Sequence, residues 1–205
     1  MVHGFKSRAE TEAGGLRAEL GLKDSEPLNP FVLAEYLGVP VLPLQRMLAY
    51  GATSEAIDFF KGPGRSTFSA TTITDPDGFS IVVYNDRHAA ARQMSNVCHE
   101  LAHICLFHEP AVLVDAQGHR FWDAQREEEA NWFGATLLVP RSGALALLDR
   151  GASPLEAAEH FGVSEQLFRW RVDQTGVSKQ LRYRTLARAR RSPAGQARKR
   201  TSLGS

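Results

Sequence analysis

The sequence has only two cysteines among its 205 residues, and it has no long uncharged hydrophobic run. Two cysteines cannot build the dense disulfide framework of a small secreted domain. Every hydrophobic run is shorter than the roughly 18 residues that a membrane-spanning helix needs. The start of the chain, residues 1–15, is polar and differs from the apolar centre of a signal peptide. We therefore predict a cytoplasmic protein with no membrane partner.

The sequence also has little net charge, +1, but this charge is unevenly distributed. Residues 174–205 contain nine of the 24 Lys and Arg residues and none of the 23 Asp and Glu residues. The chain before them is therefore acidic, while residues 179–205 are predicted to form a basic, disordered tail that could contact DNA nonspecifically. With 43% hydrophobic and 23% charged residues, the remainder has the composition of an ordinary globular protein with a buried core.

Residues 97–106 are almost all apolar and contain the pattern His99-Glu100-x-x-His103. On an α-helix, residues four apart lie on one face about 6 Å from each other, so the two imidazoles can bind one metal ion. Glu100 would then lie beside the open coordination position, where it can take a proton from water and pass it to a leaving amine. The pattern predicts a zinc-dependent peptide hydrolase.

Both cysteines belong to this predicted helix. Cys98 and Cys105 are seven residues apart, which separates their Cα atoms by about 10 Å and is too far for a disulfide. We predict that they are buried thiols in a reducing compartment. Cys98 is disfavoured as a metal ligand because its side chain points about 100° away from that of His99.

A catalytic zinc site needs a third protein ligand, which must come from outside this helix. His108 follows His103 by five residues within the same predicted helix and is turned about 140° from it, so we predict that it cannot join the pair. The next predicted helix, residues 127–139, opens with Glu127-x-x-x-Asn131, a carboxylate and an amide one turn apart on one face. We predict that Glu127 is the third ligand and that Asn131 supports a ligating histidine. The alternative third ligands are Glu128 and His119.

The segments before the His99 pattern predict a helix and a hairpin. Residues 29–38 have a capping residue, an early proline, helical apolar spacing and a final glycine. Residues 66–73 and 79–84 are predicted strands joined by a turn, and Asn85 and Asp86 are predicted to cap the helix that carries the His99 pattern. Metallopeptidases commonly hold a substrate as an added strand at a sheet edge. The best candidate edge is residues 68–73, with Phe68, Ser69, Ala70 and Thr71 as the predicted substrate-binding residues. The alternative is a hairpin with a structural role only.

Two regions outside this core also carry predictions. Residues 1–26 are interpreted as a polar lead, with at most a short helix over residues 16–22. Residues 153–172 are predicted to form a helix, a tight turn and a second helix, an arrangement typical of helix-turn-helix units. The apolar Phe168 and Trp170 favour packing on the core and recognition of a repressor over DNA reading, and the second helix opens without a basic base-reading pair.

The combined pattern resembles the ImmA/IrrE metallopeptidases, a gluzincin-like family. The resemblance spans about residues 28–178 and rests on these segments: Asn29-Pro30, Leu33-Ala34, Leu37-Gly38-Val39-Pro40-Val41, Ile81-Val82-Val83-Tyr84-Asn85, Arg92-Gln93, His99-Glu100-Leu101-Ala102-His103, Leu106 and Glu127-x-Glu129-Ala130-Asn131 with the residues up to Pro140. By position, the metal ligands of the family correspond to His99, His103 and Glu127. Its catalytic base corresponds to Glu100.

The resemblance implies an α+β fold. The expected architecture is a small zincin-like metallopeptidase core, in which a short β-sheet packs on the HExxH helix and on the helix with the glutamate ligand, followed by a helical helix-turn-helix-like unit. The predicted boundaries are the lead at 1–26, the core at 27–148, the helix-turn-helix-like unit at 149–178 and the basic tail at 179–205.

The resemblance also implies a cofactor and a substrate. The cofactor would be Zn²⁺, and the substrate would be a helix-turn-helix repressor whose cleavage derepresses genes of phage, mobile-element, stress or toxin–antitoxin type. The alternative is a regulator that binds DNA or a repressor, in which proteolysis is secondary. Two histidines outside the metal set, His119 and His160, are candidate transition-state helpers because their side chains can donate a proton near neutral pH.

Overall fold

The computed structural model describes residues 3–109 and 123–191, with side chains described up to residue 188. In chain order the elements are α1 (Phe5–Glu19), α2 (Pro30–Tyr36), β1 (Val41–Pro43), a 3₁₀ helix (Leu44–Tyr50), α3 (Ser54–Lys61), β2 (Ala70–Thr74), β3 (Ser80–Tyr84), α4 (Ala90–Cys105), α5 (Ala124–Leu138), α6 (Arg141–Asp149), α7 (Pro154–Phe161), α8 (Glu165–Gln174) and α9 (Val177–Arg191). The predicted α+β class is confirmed. In the described ranges, no helix combines the length and apolar character that crossing a membrane requires.

The three strands form one mixed sheet in the order β1-β3-β2. β1 runs parallel to β3, with Val41 opposite Val82, while β2 is antiparallel to β3, with Thr72 opposite the same Val82. The predicted hairpin is present and leaves β2 at the edge of this sheet. β2 begins later than predicted, at Ala70, because the carbonyl of Phe68 accepts a hydrogen bond from the side-chain amide of Asn85 rather than from a strand partner.

Helices α4 and α5 form the centre of the core and approach each other closely at Gly134. A Cβ atom at this position would lie 3.1 Å from the carbonyl oxygen of Cys98. Cys98 is fully buried and Cys105 partly buried, and both are free thiols, as predicted. Burial raises the pKa of Cys98 far above its ordinary range, so this thiol stays protonated and packs as an apolar group.

The N-terminal helix α1 is longer than the sequence-based expectation. It spans Phe5–Glu19 instead of residues 16–22, and it packs against α5. It buries one residue per turn: Phe5, Ala9, Ala13 and Arg17. The guanidinium of Arg17 donates to the carbonyl of Leu137 at 2.6 Å and to the carbonyls of Lys23 and Glu26. Because this stripe consists mainly of alanine and arginine, a search for large apolar residues misses it.

The C-terminal helices continue from the same core. Helix α7 opens with a capping box between Ser153 and Glu156, and Gly162 ends it with a φ of 68°, which a glycine adopts without strain. Helix α8 is attached to the core by the buried Phe168 and Arg171, whereas Trp170, which was also expected to be buried, is 37% exposed. Residues 179–191 belong to α9, which corrects the expectation that the basic tail is disordered from residue 179.

Candidate metal centre

Helix α4 brings His99 and His103 together on one face. Their Nε2 atoms are 3.1 Å apart. The helix begins at Ala90, later than the predicted caps Asn85 and Asp86. Asn85 instead lies buried in the loop, where its side-chain amide donates to the carbonyl of Phe60 at 2.9 Å. The later start of α4 does not affect the two histidines, because their spacing depends on the last two turns of the helix.

Helix α5 supplies the carboxylate that completes the cluster. The helix begins at Ala124, three residues earlier than predicted, because Asp123 caps it by accepting from two backbone amides. Glu127 therefore lies in the first turn, with Oε2 3.3 Å from Nε2 of His99 and Oε1 3.6 Å from Nε2 of His103. The ligating atoms of the three side chains all lie within 4.8 Å of one another.

The geometry and chemistry of this cluster fit a metal ion. Four-coordinate zinc with bonds of about 2.0–2.1 Å holds its ligand atoms about 3.3 Å apart. The observed separations of 3.1, 3.3 and 3.6 Å bracket this value. Two imidazoles and one carboxylate are also a ligand set of catalytic zinc sites, which keep a fourth position open. The side chains are 19–26% exposed, so the cluster has a face toward solvent.

The electrostatics of the cluster favour the metal-binding forms of two side chains. Burial, together with the neighbouring His99, lowers the pKa of His103 to about 4. The hydrogen bond with His99 holds the pKa of Glu127 below its ordinary value. Burial alone would lower the pKa of His99, but contacts with Glu127 and Glu100 raise it overall. At neutral pH His103 is therefore neutral and Glu127 is ionised, as ligation requires.

Glu100, the predicted base, joins this cluster to the sheet. Its Oε2 accepts a hydrogen bond of 2.8 Å from the hydroxyl of Thr72 on the edge strand β2. Burial raises the pKa of Glu100, although the neighbouring His99 and the Thr72 hydroxyl act against this shift. Thr72 was not among the predicted site residues. The signal that could have found it is its position on the predicted edge strand, where every second side chain lies on the same face.

The four residues predicted as a substrate edge divide into two pairs. Ala70 and Thr71 lie in β2, while Phe68 and Ser69 precede the strand. The Oγ atom of Ser69 accepts from the guanidinium of Arg92 on α4 at 2.9 Å. The start of the edge strand is therefore tied to the helix that carries the histidines.

The other predicted site residues differ in how near they lie to the cluster. Asn131 lies one turn after Glu127, and its side chain helps to raise the pKa of His99. Glu128 borders the same cavity as Glu127 but is not in the cluster. His160 lies on α7, where its Nε2 is 2.7 Å from the carbonyl oxygen of Ser25, so the structure does not bring it to the cluster. His119 lies outside the described residues.

His108 is a second residue near the cluster that was not predicted to take part. The turn of about 140° would apply only if the helix continued. Helix α4 ends at Cys105, and the Nδ1 atom of His108 lies 3.0 Å from the Nδ1 atom of His103. His108 therefore contacts the nitrogen of His103 that faces away from Glu127.

A cavity of about 1010 Å³ lies between Glu127 and the C-terminal helix α8. Its walls come from the first turns of α4, from α5 and from α8, and they include Arg92, Glu127, Asn131, Trp132, Leu167 and Trp170. The rings of Trp132 and Trp170 meet edge to face, with centroids 5.5 Å apart, and Trp170 is 37% exposed. Helix α8 thus forms one wall of the cavity that Glu127 borders.

The comparison with protein families agrees with this site. A model of the M78 peptidases, described as the IrrE N-terminal-like domain, matches residues 34–173. No curated protein sequence matches the chain. The matched range is more than half of the chain and contains the whole cluster on α4 and α5. The chain therefore belongs to the ImmA/IrrE family of metallopeptidases.

Proposed function

We propose that the protein is a zinc-dependent endopeptidase that cleaves a helix-turn-helix transcriptional repressor and so derepresses the genes under its control. The observation that carries the proposal is the cluster of His99, His103 and Glu127, whose ligating atoms lie within 4.8 Å of one another. Membership in a metallopeptidase family supports the reaction class. The repressor is proposed from the resemblance to regulatory members of that family.

The residues of the site have separate roles in this proposal. His99, His103 and Glu127 would hold the zinc, and Asn131 would help to orient His99. When bound, the zinc supplies Lewis acidity for the attack of water on a peptide carbonyl. Glu100 takes a proton from the attacking water and returns it to the amine as the peptide C–N bond breaks.

The environment of Glu100 suits both directions of this proton transfer. Burial raises its pKa, which brings the carboxyl group closer to the range in which it can accept and return a proton near neutral pH. The 2.8 Å hydrogen bond from Thr72 fixes one carboxylate oxygen relative to the sheet. The carboxylate that accepts and returns the proton is therefore held in one orientation by its neighbours.

Two surfaces next to the site support binding of an extended peptide. β2 is an edge strand to which a peptide can add as a further strand, and Ala70 and Thr71 lie on it. The cavity between α4, α5 and α8 offers the exposed ring of Trp170 and the partly buried side chain of Leu167. We infer that the helix-turn-helix-like unit serves recognition of the protein substrate, because α8 borders this cavity.

The alternative function, DNA or repressor binding with proteolysis secondary, has less support among the described residues. Two basic side chains of α9, Arg184 and Arg188, contact Asp149 at 3.0 and 2.9 Å. On α8, Arg169 forms an ion pair of 2.6 Å with Glu165. These cations are partly neutralised, so they contribute less to phosphate binding than free side chains would. The basic residues after 191 lie outside the described part of the chain.

Replacement of the proposed base tests the function directly. Glu100→Gln keeps the size of the side chain but removes its ability to accept a proton. We expect bound zinc to remain at the level of the unaltered protein, while cleavage of a co-expressed helix-turn-helix repressor falls by a factor of about 10² or more. Cleavage is followed on gels after co-expression, and bound zinc is measured by atomic emission.

Glu35→Gln is the matched control, because Glu35 is exposed on α2 and is not part of the cluster. It should leave both cleavage and zinc content unchanged. Undiminished cleavage by the Glu100→Gln variant would contradict the proposed mechanism.

A further inference from the structure

The end of helix α4 folds back onto the cluster. Phe107 adopts a φ of 53°, which a residue other than glycine rarely does, and its side chain is 92% exposed. This backbone turn lets the amide of His108 donate to the carbonyl of His103 at 3.0 Å. The two imidazole rings then lie with their centroids 5.0 Å apart. An exposed phenylalanine in this conformation gains little packing, so the turn is best explained by the position that it gives to His108.

A carboxylate lies on the other side of the His108 ring. Nε2 of His108 is 3.6 Å from Oε2 of Glu129, and Oε1 of the same carboxylate accepts from the amide of Gln125 at 3.1 Å. The side chains of His108 and Glu129 are only 9% and 11% exposed. From the cluster outward, the polar groups thus run in the order His103, His108, Glu129, in a region almost closed to solvent.

We propose that His108 and Glu129 are positioning residues that orient His103 as a metal ligand. The inference rests on the proposed function, since it takes Nε2 of His103 as the atom that binds zinc. The proton of His103 is then on Nδ1, and it is donated to Nδ1 of His108. His108 in turn carries its proton on Nε2, which faces the Glu129 carboxylate.

This order of protons has a physical consequence for the site. A histidine that binds a metal usually donates its other N–H group to a partner, which fixes the ring and makes the ligating nitrogen more basic. His103 has such a partner in His108, and Glu129 holds that partner in the accepting tautomer. His99 differs, because its Nδ1 atom is buried without a hydrogen-bond partner among the described residues. Among the described residues, hydrogen-bond support through Nδ1 therefore acts on His103 and not on His99.

Zinc affinity of the full-length protein tests the inference. His108→Phe keeps an aromatic ring and removes both nitrogens. We expect the dissociation constant for Zn²⁺, measured by competition with a chromophoric chelator, to rise by a factor of about 10–100. At saturating zinc the stoichiometry should remain that of the unaltered protein, because the three proposed ligands are intact.

Two further variants separate positioning from packing. His108→Asn places an oxygen near the position of Nδ1 and can still accept the proton of His103, so we expect it to recover most of the lost affinity despite its smaller size. Glu129→Gln removes the charge behind His108 and should give an intermediate affinity. A packing role alone would predict the opposite order, with phenylalanine better tolerated than asparagine.

His88→Phe is the matched control. His88 is also buried, but its Nε2 lies 2.8 Å from the carbonyl of Arg65 and it is not part of the cluster. It should leave zinc affinity unchanged. Equal zinc affinity in the His108→Phe variant and the unaltered protein, or an asparagine variant no better than the phenylalanine variant, would overturn the inference. If the unaltered protein bound no zinc, the proposed function would fail together with the inference. If it bound zinc but the variants did not differ from it, only the inference would fail.

Discussion

Thr72 connects the edge strand to the proposed base, and its hydroxyl is the part of the residue that makes this contact. Thr72→Val keeps the shape of the side chain and removes the 2.8 Å hydrogen bond to Glu100. Loss of one such bond costs about 1–2 kcal/mol, which corresponds to a decrease in kcat of about tenfold if the bond orients the base in the transition state. The measurement is the steady-state rate of peptide cleavage, with zinc content determined on the same samples.

Thr74→Val serves as the control on the same strand, since the hydroxyl of Thr74 contacts Ser80 and not the site. Its kcat should match that of the unaltered protein. Equal rates for the Thr72 and Thr74 variants would show that the Thr72 hydroxyl does not assist the base.

At the scale of single residues, part of the site could be predicted from the sequence and part could not. The pairing of His99 with His103 follows from helical spacing alone, because residues four apart share a face. Glu127 could be proposed because it lies four residues before Asn131, a polar residue on a mostly apolar helix. Thr72 depends on how a strand packs against a helix distant in sequence. His108 depends on the left-handed backbone of Phe107, for which its neighbours give no signal.

At the scale of elements, the site depends on the close approach of α4 and α5. His99 and His103 lie on the first helix and Glu127 on the second, so the distance between the helices sets the size of the cluster. Gly134 permits this approach, because a Cβ atom there would lie 3.1 Å from the carbonyl oxygen of Cys98. The glycine therefore serves packing, and its backbone does not adopt the left-handed conformation.

Gly134→Ala should separate the two helices by a few tenths of an ångström. We expect a loss of stability of about 1–3 kcal/mol, as for other overpacked cores, and weaker zinc binding. The measurements are urea denaturation of the metal-free protein and chelator competition for zinc. The contrasting variant is Gly15→Ala in α1, where the added methyl meets no atom within 4 Å.

The expected effect of Gly15→Ala is opposite in sign. An alanine within a helix is more stable than a glycine by about 0.5–1 kcal/mol, so this variant should be slightly more stable and should bind zinc normally. A Gly134→Ala variant as stable as the Gly15→Ala variant would contradict the account of the helix contact.

The helices could be predicted where a capping residue or a proline marks their boundary. Asn29 and Pro30 define the start of α2, and Pro140 follows the end of α5. Helix α1 escaped prediction because Phe5 is the one large apolar residue on its buried face, which otherwise consists of Ala9, Ala13 and Arg17. Helix α9 was expected to be disordered because its charge suggested solvation, but Leu181 packs on the core and Asp149 contacts two of its arginines.

At the scale of the whole molecule, α1 and α8 both pack on α5, the helix that carries Glu127. Helix α1 contacts α5 and reaches the carbonyl of Leu137 through Arg17. The buried Arg171 of α8 contacts Glu10 of α1 at 2.7 Å and the carbonyl of Val139, which follows α5, at 3.2 Å. The family match begins at residue 34 and so leaves out α1, yet this helix packs on α5.

The central claim is that His99, His103 and Glu127 together bind one zinc ion, and anomalous X-ray scattering tests it most directly. Crystals of the full-length protein grown with zinc should give an anomalous difference peak, measured at the zinc edge, within about 2.0–2.2 Å of Nε2 of both histidines and of a Glu127 oxygen. The same peak should weaken or disappear in crystals of the Glu127→Ala variant. No peak between these three side chains, or a zinc ion bound only elsewhere, would contradict the claim.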